Sequence, residues 1–201
     1  MRPALKTSLL FAATWVGIKL LFLGIGVFQD EIFVPGLINN LFLLSAISVG
    51  LFLEKKKNGY AEGSALDDIK NGMIGGVPYV LIVSIFMFFY YRDIHPQFIQ
   101  ERVTERNDKI YGEMERESYV DSLRLKFPRY EVLTKNEIYR EIQADTKSGL
   151  APKSLFIFSL LGMIVLTLTY SIFVTAIYRK ILFRELITEK RKNENDPEDL
   201  L

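Results

Sequence analysis

Residues 72–91 read GMIGGVPYVLIVSIFMFFYY, twenty residues without a charged side chain. An α-helix rises about 1.5 Å per residue, so a helix of this length covers the roughly 30 Å of hydrocarbon in a lipid bilayer. In lipid, only a helix or a closed barrel satisfies its own backbone hydrogen bonds. The stretch therefore predicts a membrane-spanning helix.

Three more segments fit the same description, at about 8–28, 32–53 and 154–178. The first follows Arg2 and Lys6 and so resembles a signal peptide. Its apolar run is long, however, contains Lys19 and has no small-x-small cleavage site before Asp30. We therefore expect an uncleaved span and four membrane helices in all.

Charged residues cluster between these segments, at 54–70, 92–153 and 179–199. The predicted fold is all-α: an integral membrane four-helix bundle with a helical extracytoplasmic insert between the third and fourth spans. The expected divisions are 1–91 with the first three spans, the charged insert 92–153, the fourth span 154–178, and an amphipathic basic cytoplasmic tail, 179–201.

Turn residues agree with this division. Gln29-Asp30-Glu31 is a short link, so the first two spans must form an antiparallel hairpin. Ser64-x-x-Asp67 has the spacing of a capping box and predicts the start of a helix on the membrane surface that leads into the third span. Gly75-Gly76-Val77-Pro78 predicts a bend within that span, because proline removes one backbone hydrogen bond.

The insert predicts three helices. The first begins at Pro96 and carries an apolar stripe among charged residues, formed by Ile99, Val103, Ile110 and Met114. The second covers 119–127 and stops before Pro128. The third begins at the capping-box spacing Thr134-x-x-Glu137. Because short helices cannot build a large core, we expect the stripe to pack against the membrane surface or against another chain.

Lysine and arginine set the predicted orientation. They flank the N-terminus, the link 54–71 and the end of the fourth span, and the first link has none. The positive-inside rule then places both termini in the cytoplasm and the insert 92–153 outside it.

Lys19 is expected near the middle of the first span, where a lysine costs roughly 2.5–3.5 kcal/mol on insertion scales. No Asp or Glu lies inside the four apolar segments, which excludes a buried ion pair within the spans. By depth, Lys19 comes near Asn39 and Asn40, and the three could form an intramembrane polar cluster. The alternative is that Lys19 snorkels or is held neutral by hydrogen bonds.

The third span begins with Gly72-x-x-x-Gly76, a spacing that lets helices approach closely. Together with Pro78 it predicts a packing face or a kink. Ordinary packing within the chain and a dimer interface are both consistent with this spacing.

The sequence gives little support for metal binding, catalysis or nucleic-acid binding. The chain has no cysteine and a single histidine, His95. Asp93-x-His95 offers at most two metal ligands, fewer than a zinc site needs, and an interfacial cap with Arg92 explains it better. Nucleophile elbows, phosphate loops and metalloprotease motifs are absent from the sequence. We expect no catalytic residues, metal or cofactor, and a net charge of +1 gives no reason to expect nucleic acid.

Four short segments stand out at the borders of the third and fourth spans: Asp68-Ile69-Lys70-Asn71-Gly72, Phe88-Phe89-Tyr90-Tyr91, Ile94-His95-Pro96-Gln97-Phe98 and Tyr178-Arg179-Lys180. In these segments the chain resembles domain-of-unknown-function family 4199, small four-span proteins of the bacterial inner membrane. The family implies an inner-membrane location, which would make the insert periplasmic, and brings no reaction, ligand or site residue.

These observations favour a multi-pass, non-enzymatic accessory or scaffold subunit of a membrane complex. Its expected partners are the lipid bilayer and another membrane protein or a second copy of the chain. The alternative is a small transporter or channel that uses Lys19 and the kink in the third span.

Overall fold

The computed structural model describes residues 1–28 and 31–194, with side chains described through residue 188. Within these residues the chain is helical and has no β-strand. Gln29 and Asp30 of the predicted hairpin link, and residues 195–201 of the predicted tail, lie outside the described residues.

The described residues form eight α-helices, joined in places by π-helical or 3₁₀ turns. The helices are α1 (Pro3–Ile25), α2 (Phe33–Asn58), α3 (Ala65–Phe89), α4 (Pro96–Met114), α5 (Glu117–Lys126), α6 (Lys135–Gly149), α7 (Pro152–Ile177) and α8 (Phe183–Glu194). The π-helical turns are Tyr90–Ile94 and Tyr178–Leu182, and the 3₁₀ turn is Pro128–Tyr130.

Four helical stretches are long and apolar enough to cross a membrane: Pro3–Ile25, Phe33–Asn58, Ala65–Ile94 and Pro152–Thr188. The all-helical fold and the four long apolar helices are therefore confirmed. Their order is also as predicted, with the charged helices α4 to α6 between the third and fourth.

The helices extend beyond the apolar segments. α2 continues through Lys55 to Asn58, and α3 begins at Ala65, seven residues before Gly72. Hydropathy locates the apolar part of a helix, whereas the helix itself ends where the backbone is capped. At the start of α3 the cap is the predicted one: Ser64 N donates to Asp67 Oδ2 at 2.9 Å, and Asp67 N donates to Ser64 Oγ at 3.2 Å.

The chain divides into two compact units. The first comprises Met1–Ile85 with Ser159–Leu201, and the second comprises Phe86–Phe158. The boundaries fall inside α3 and α7.

In the first unit, α1 and α2 pack against each other in antiparallel order. Phe11 meets Phe42 edge to face, with ring centroids 5.7 Å apart. A Cβ added to Gly50 would lie 3.2 Å from Ala4 Cα, so the two backbones nearly touch there. These two contacts define which residues of α1 and α2 lie at the same level.

The second unit has a small core of its own. Each of α4, α5, the 3₁₀ turn and α6 contributes one buried side chain to it: Met114, Val120, Tyr130 and Ile138, in that order. The predicted capping box at the start of α6 is confirmed, because Thr134 N donates to Glu137 Oε2 at 2.8 Å and Glu137 N donates back to Thr134 Oγ1. α5 ends at Lys126, as predicted from Pro128.

Candidate functional site

The first unit contains a buried ion cluster around Asp68. Lys55 Nζ lies 2.8 Å from Asp68 Oδ1, and Arg179 Nε lies 2.6 Å from Asp68 Oδ2. The side chains of Lys55 and Asp68 are only 4% and 1% exposed, and that of Arg179 is 35% exposed. One carboxylate therefore joins the end of α2, the start of α3 and the turn after α7.

Both cations have further partners in the link between α2 and α3. Arg179 Nη2 donates to the Gly63 carbonyl at 2.6 Å, and Lys55 Nζ donates to the Glu62 carbonyl. Lys55 Nζ also lies 5.7 Å from the centroid of the Phe183 ring. Burying a charge is costly unless an opposite charge lies beside it, and each charged group of this cluster has an oppositely charged partner.

The backbone of the link is shaped to present these carbonyls. Gly59 and Gly63 have positive φ angles of +106° and +78°, a region that other residues rarely adopt. Gly59 N donates to the Lys55 carbonyl at 2.8 Å and closes the end of α2. The link therefore turns back over Lys55 before Ser64 starts the next helix.

Arg179 reaches Asp68 from the π-helical turn Tyr178–Leu182. Such turns are rare and often occur at functional sites. Directly after this turn, Phe183 is 2% exposed and packs between Tyr60 and Tyr178, with centroid distances of 5.7 and 5.4 Å. The aromatic contacts hold the turn beside the ion cluster.

The sequence analysis does not predict this cluster. The expected absence of a buried ion pair applies to the apolar segments themselves, and Lys55 and Asp68 lie outside them, in the predicted link 54–71. The structure buries both side chains because α2 and α3 continue past the apolar segments. The missed signal was periodicity: Asp68 lies one turn before Gly72, on the same helical face.

That face of α3 is lined with glycine. A Cβ on Gly76 would overlap Thr167 Cγ2, one on Gly75 would lie 2.9 Å from the Ala46 carbonyl oxygen, and one on Gly72 would lie 3.0 Å from Ser171 Cβ. α3 therefore approaches α2 and α7 at backbone distance. Pro78 lies inside α3, and the helix continues through it to Phe89.

One turn further along the same face, Tyr79 is fully buried. Its hydroxyl donates to Asn39 Oδ1 at 2.6 Å, and Asn39 Nδ2 donates to Met163 Sδ at 3.7 Å. Both polar atoms of the Asn39 amide are thus directed to α3 and α7. The sequence predicted a polar role for Asn39 but not these partners.

Lys19 is 4% exposed and lies on the buried side of α1. The contacts of Phe11 with Phe42 and of Ala4 with Gly50 place it level with Pro35, about one turn from Asn39. Asn40 is half-buried. The cluster of Lys19, Asn39 and Asn40 stays a prediction.

In the second unit, the predicted stripe of α4 divides into two parts. Met114 is 2% exposed in the core of the insert, and Ile110 packs against the same core. Ile99 and Val103 are half-buried and lie outside this core cluster. The half of the stripe that can serve a further contact is therefore the N-terminal half.

At the opposite end of the insert, two aliphatic side chains are almost completely exposed. Leu125 is 89% and Val132 is 88% exposed, and Phe127 between them is 39% exposed. Arg124 Nη2 donates to the Leu133 carbonyl at 3.0 Å, which holds residues 131–133 against the end of α5. We call residues 124–135 the tip of the insert.

Near the start of α4, His95 lies among aromatic rings, with its centroid 6.1 Å from that of Phe98. The neighbouring Arg92 forms an ion pair with Asp93 at 2.8 Å, and the interfacial cap stays a prediction. Within the described ranges, no group of three or more His, Cys, Asp or Glu side chains could hold a metal ion.

No protein-family model, curated protein or solved structure matches this chain.

Proposed function

We propose that the chain is a multi-pass protein of a bacterial inner membrane and acts as a non-enzymatic accessory or scaffold subunit of a membrane complex. The four long apolar helices support the multi-pass arrangement as a four-helix bundle. The resemblance to domain-of-unknown-function family 4199 supports the bacterial inner membrane as its location.

The proposed orientation has both termini in the cytoplasm and the insert 92–153 in the periplasm. Its support is the set of exposed cations flanking the helices, which remains after Lys55 and Arg179 are assigned to the ion cluster: Lys56, Lys57, Lys70, Lys180 and Arg184. A helical insert of this length is translocated largely regardless of its own charge.

The observation that carries the scaffold role is the separate core of the insert. A segment that only connected two spans would need no core. This one folds around Met114, Val120, Tyr130 and Ile138 and leaves Ile99 and Val103 of α4 for a further contact. We assign that surface to another membrane protein or a second copy of the chain.

The first unit supports a structural role for the membrane helices. Asp68 is a buried carboxylate whose two oxygens each pair with a cation from another helix or turn, an arrangement that ties helices together. The glycine face of α3 is filled by α2 and α7. Close packing therefore accounts for the glycine segment of α3, on which the alternative of a transporter or channel partly rests.

Site-specific photo-crosslinking in cells tests this function. A photoreactive side chain at Ile99 or Val103 should give one discrete crosslinked product, and its mass separates a second copy from another protein. Asp108, an exposed residue of the same helix, is the matched control and should give none. Recovery of only uncrosslinked monomer from all three positions would contradict the proposal.

A further inference from the structure

We propose that α2 binds the α2 helix of a second copy of this chain inside the membrane, through Asn40. The two Asn40 side chains form a reciprocal pair of amide hydrogen bonds across a two-fold axis. This inference rests on α2 as a membrane span and not on the surface of the insert, which carries the proposed scaffold function.

The first argument is an amide without a partner. Asn40 is half-buried, and within the described residues its side chain forms no hydrogen bond or ion pair. Its neighbour Asn39 differs, because the Asn39 amide accepts from Tyr79 Oη and donates to Met163 Sδ. α2 therefore uses one amide inside the first unit and leaves the adjacent one available for another molecule.

The second argument is depth. Asn40 lies eight residues after Ile32, where the apolar segment begins, which is about 12 Å along a helix that rises 1.5 Å per residue. Because the hydrocarbon is roughly 30 Å thick, this position is close to the middle of the bilayer. The side chain of asparagine is too short to reach the headgroups, as lysine or arginine can. An unpaired amide at this depth is costly, and a partner helix removes that cost.

Two other exposed polar side chains of the apolar helices behave differently. Thr14 Oγ1 donates to the Leu10 carbonyl at 2.9 Å, and Thr169 Oγ1 donates to the Val165 carbonyl at 3.0 Å. Each bond lies within one turn of its own helix, so these hydroxyls need no second helix. Asn40 has no such bond within α2.

The third argument is complementarity. An asparagine amide carries an acceptor oxygen and a donor NH₂ group, so two copies of it satisfy each other by two reciprocal bonds. This pairing has the two-fold symmetry of an isologous dimer. One turn before Asn40, no atom lies within 4 Å of a Cβ added to Gly36, which leaves room for a close helix approach. Leu37 and Leu41, 50% and 55% exposed, provide apolar contacts beside the amide.

Disulfide crosslinking tests this contact, because the chain has no cysteine. Leu37→Cys and Leu44→Cys lie about one turn before and one turn after Asn40 on α2. Val49→Cys is the matched control: it is 39% exposed and lies on the opposite side of the helix, since nine residues correspond to about two and a half turns. Each full-length variant is reconstituted alone in lipid vesicles at several protein-to-lipid ratios and then oxidised.

The proposal expects a disulfide-linked product of two copies from positions 37 and 44 and little from position 49. Asn40→Leu, added to Leu37→Cys, should weaken dimerisation about three- to thirtyfold, the effect of losing interhelical hydrogen bonds in a membrane. Asn40→Gln keeps a self-complementary amide and should retain most of the dimer. Thr14→Val is the control substitution and should change dimerisation little, because the Thr14 hydroxyl bonds within its own helix.

Equal crosslinking at all three positions would overturn the proposal, and so would a dimer that Asn40→Leu leaves unchanged. If positions 37 and 44 give a product with another protein in cells and none with the purified chain, the partner of Asn40 is not a second copy and the proposal is also wrong. These outcomes are distinct from a failure of the scaffold function, which is measured at Ile99 and Val103.

Discussion

Asp68 is a carboxylate at the start of α3 that receives a lysine from α2 and an arginine from the turn after α7. The three groups come from segments that are far apart in sequence, since Asp68 and Arg179 are separated by 111 positions. Their pairing ties the ends of three helices together. A role in holding the first unit together follows from this geometry.

We expect Lys55→Gln to destabilise the protein by about 3 kcal/mol, because removing one partner of a buried pair leaves an uncompensated charge. Lys56→Gln is the matched control, since Lys56 is the exposed neighbour on the same helix, and its effect should be close to zero. Unfolding of the two variants in mixed detergent micelles measures the difference. Equal stability of the two variants would show that the cluster contributes little.

Gly76 gives a second prediction for a single residue. Gly76→Ala should destabilise the first unit by about 1–3 kcal/mol, because the added methyl group overlaps Thr167 in a packed interface. Gly162→Ala is the control: no atom lies within 4 Å of a Cβ at that position, so the change should be neutral or slightly stabilising.

Thermal denaturation of the purified Gly76 and Gly162 variants checks this contrast. If Gly76→Ala leaves the midpoint unchanged or raises it, as Gly162→Ala should, the gain in helix propensity outweighs any overlap and the close approach at Gly76 is contradicted. If only Gly76→Ala lowers it, α3 packs as the structure describes.

At the scale of elements, α6 begins with a capping box that contains a titratable group, the carboxyl of Glu137. Hydrogen bonds from the backbone N–H and the hydroxyl of Thr134 hold the pKa of the Glu137 carboxyl below its usual value of 4.5. Because the pKa is lower in the folded state, the ionised carboxyl stabilises the helix at pH values above 4.5. This stabilisation is lost as the pH falls through the pKa of the folded state.

We therefore expect the first turn of α6 to lose protection against hydrogen exchange as the pH falls below 4.5, the usual pKa of this carboxyl, and through its lowered pKa in the folded state. Glu137→Gln keeps an acceptor oxygen but has no proton to gain, so its first turn should show a smaller dependence on pH. Exchange in the peptide covering 134–142, corrected for the intrinsic rate at each pH, provides the measurement. An identical pH dependence in both proteins would contradict this role of Glu137.

The elements themselves were largely predictable from sequence. Apolar length located α1, α2, α3 and α7, and two capping boxes located the starts of α3 and α6. Helix ends within charged residues were not predictable, because hydropathy carries no information about where a helix stops among polar residues. The extension of α2 and α3 is what placed Lys55 and Asp68 in the interior.

Tertiary contacts were predictable only in part. The spacing of Gly72 and Gly76 predicted a close helix approach, yet not that α7 supplies Thr167 and Ser171 to meet it. Asn39 was singled out as polar, but its bond with Tyr79 depends on how α2 and α3 pack. Sequence identifies residues with unusual requirements, and only the packed helices identify their partners.

At the scale of the whole molecule, the two units have different proposed roles. The first unit is a set of apolar helices joined by glycine contacts and the Asp68 cluster, and we propose that it anchors the protein in the membrane. The second unit carries its own core, a half-buried surface at Ile99 and Val103, and the exposed tip. The interaction surface of the proposed scaffold function belongs to the second unit. The side of the membrane on which this unit lies therefore determines which partners it can meet.

The central claim is a four-span protein with its termini in the cytoplasm and the insert outside, and labelling of single cysteines tests it most directly. Ser118→Cys in the insert and Lys57→Cys in the last turn of α2 are both exposed positions in a chain without cysteine. A membrane-impermeant maleimide applied to bacterial cells with a permeabilised outer membrane and an intact inner membrane should label position 118, and label position 57 only after the inner membrane is opened. Labelling of position 57 but not 118 in cells with an intact inner membrane, or of both positions together, would contradict the account.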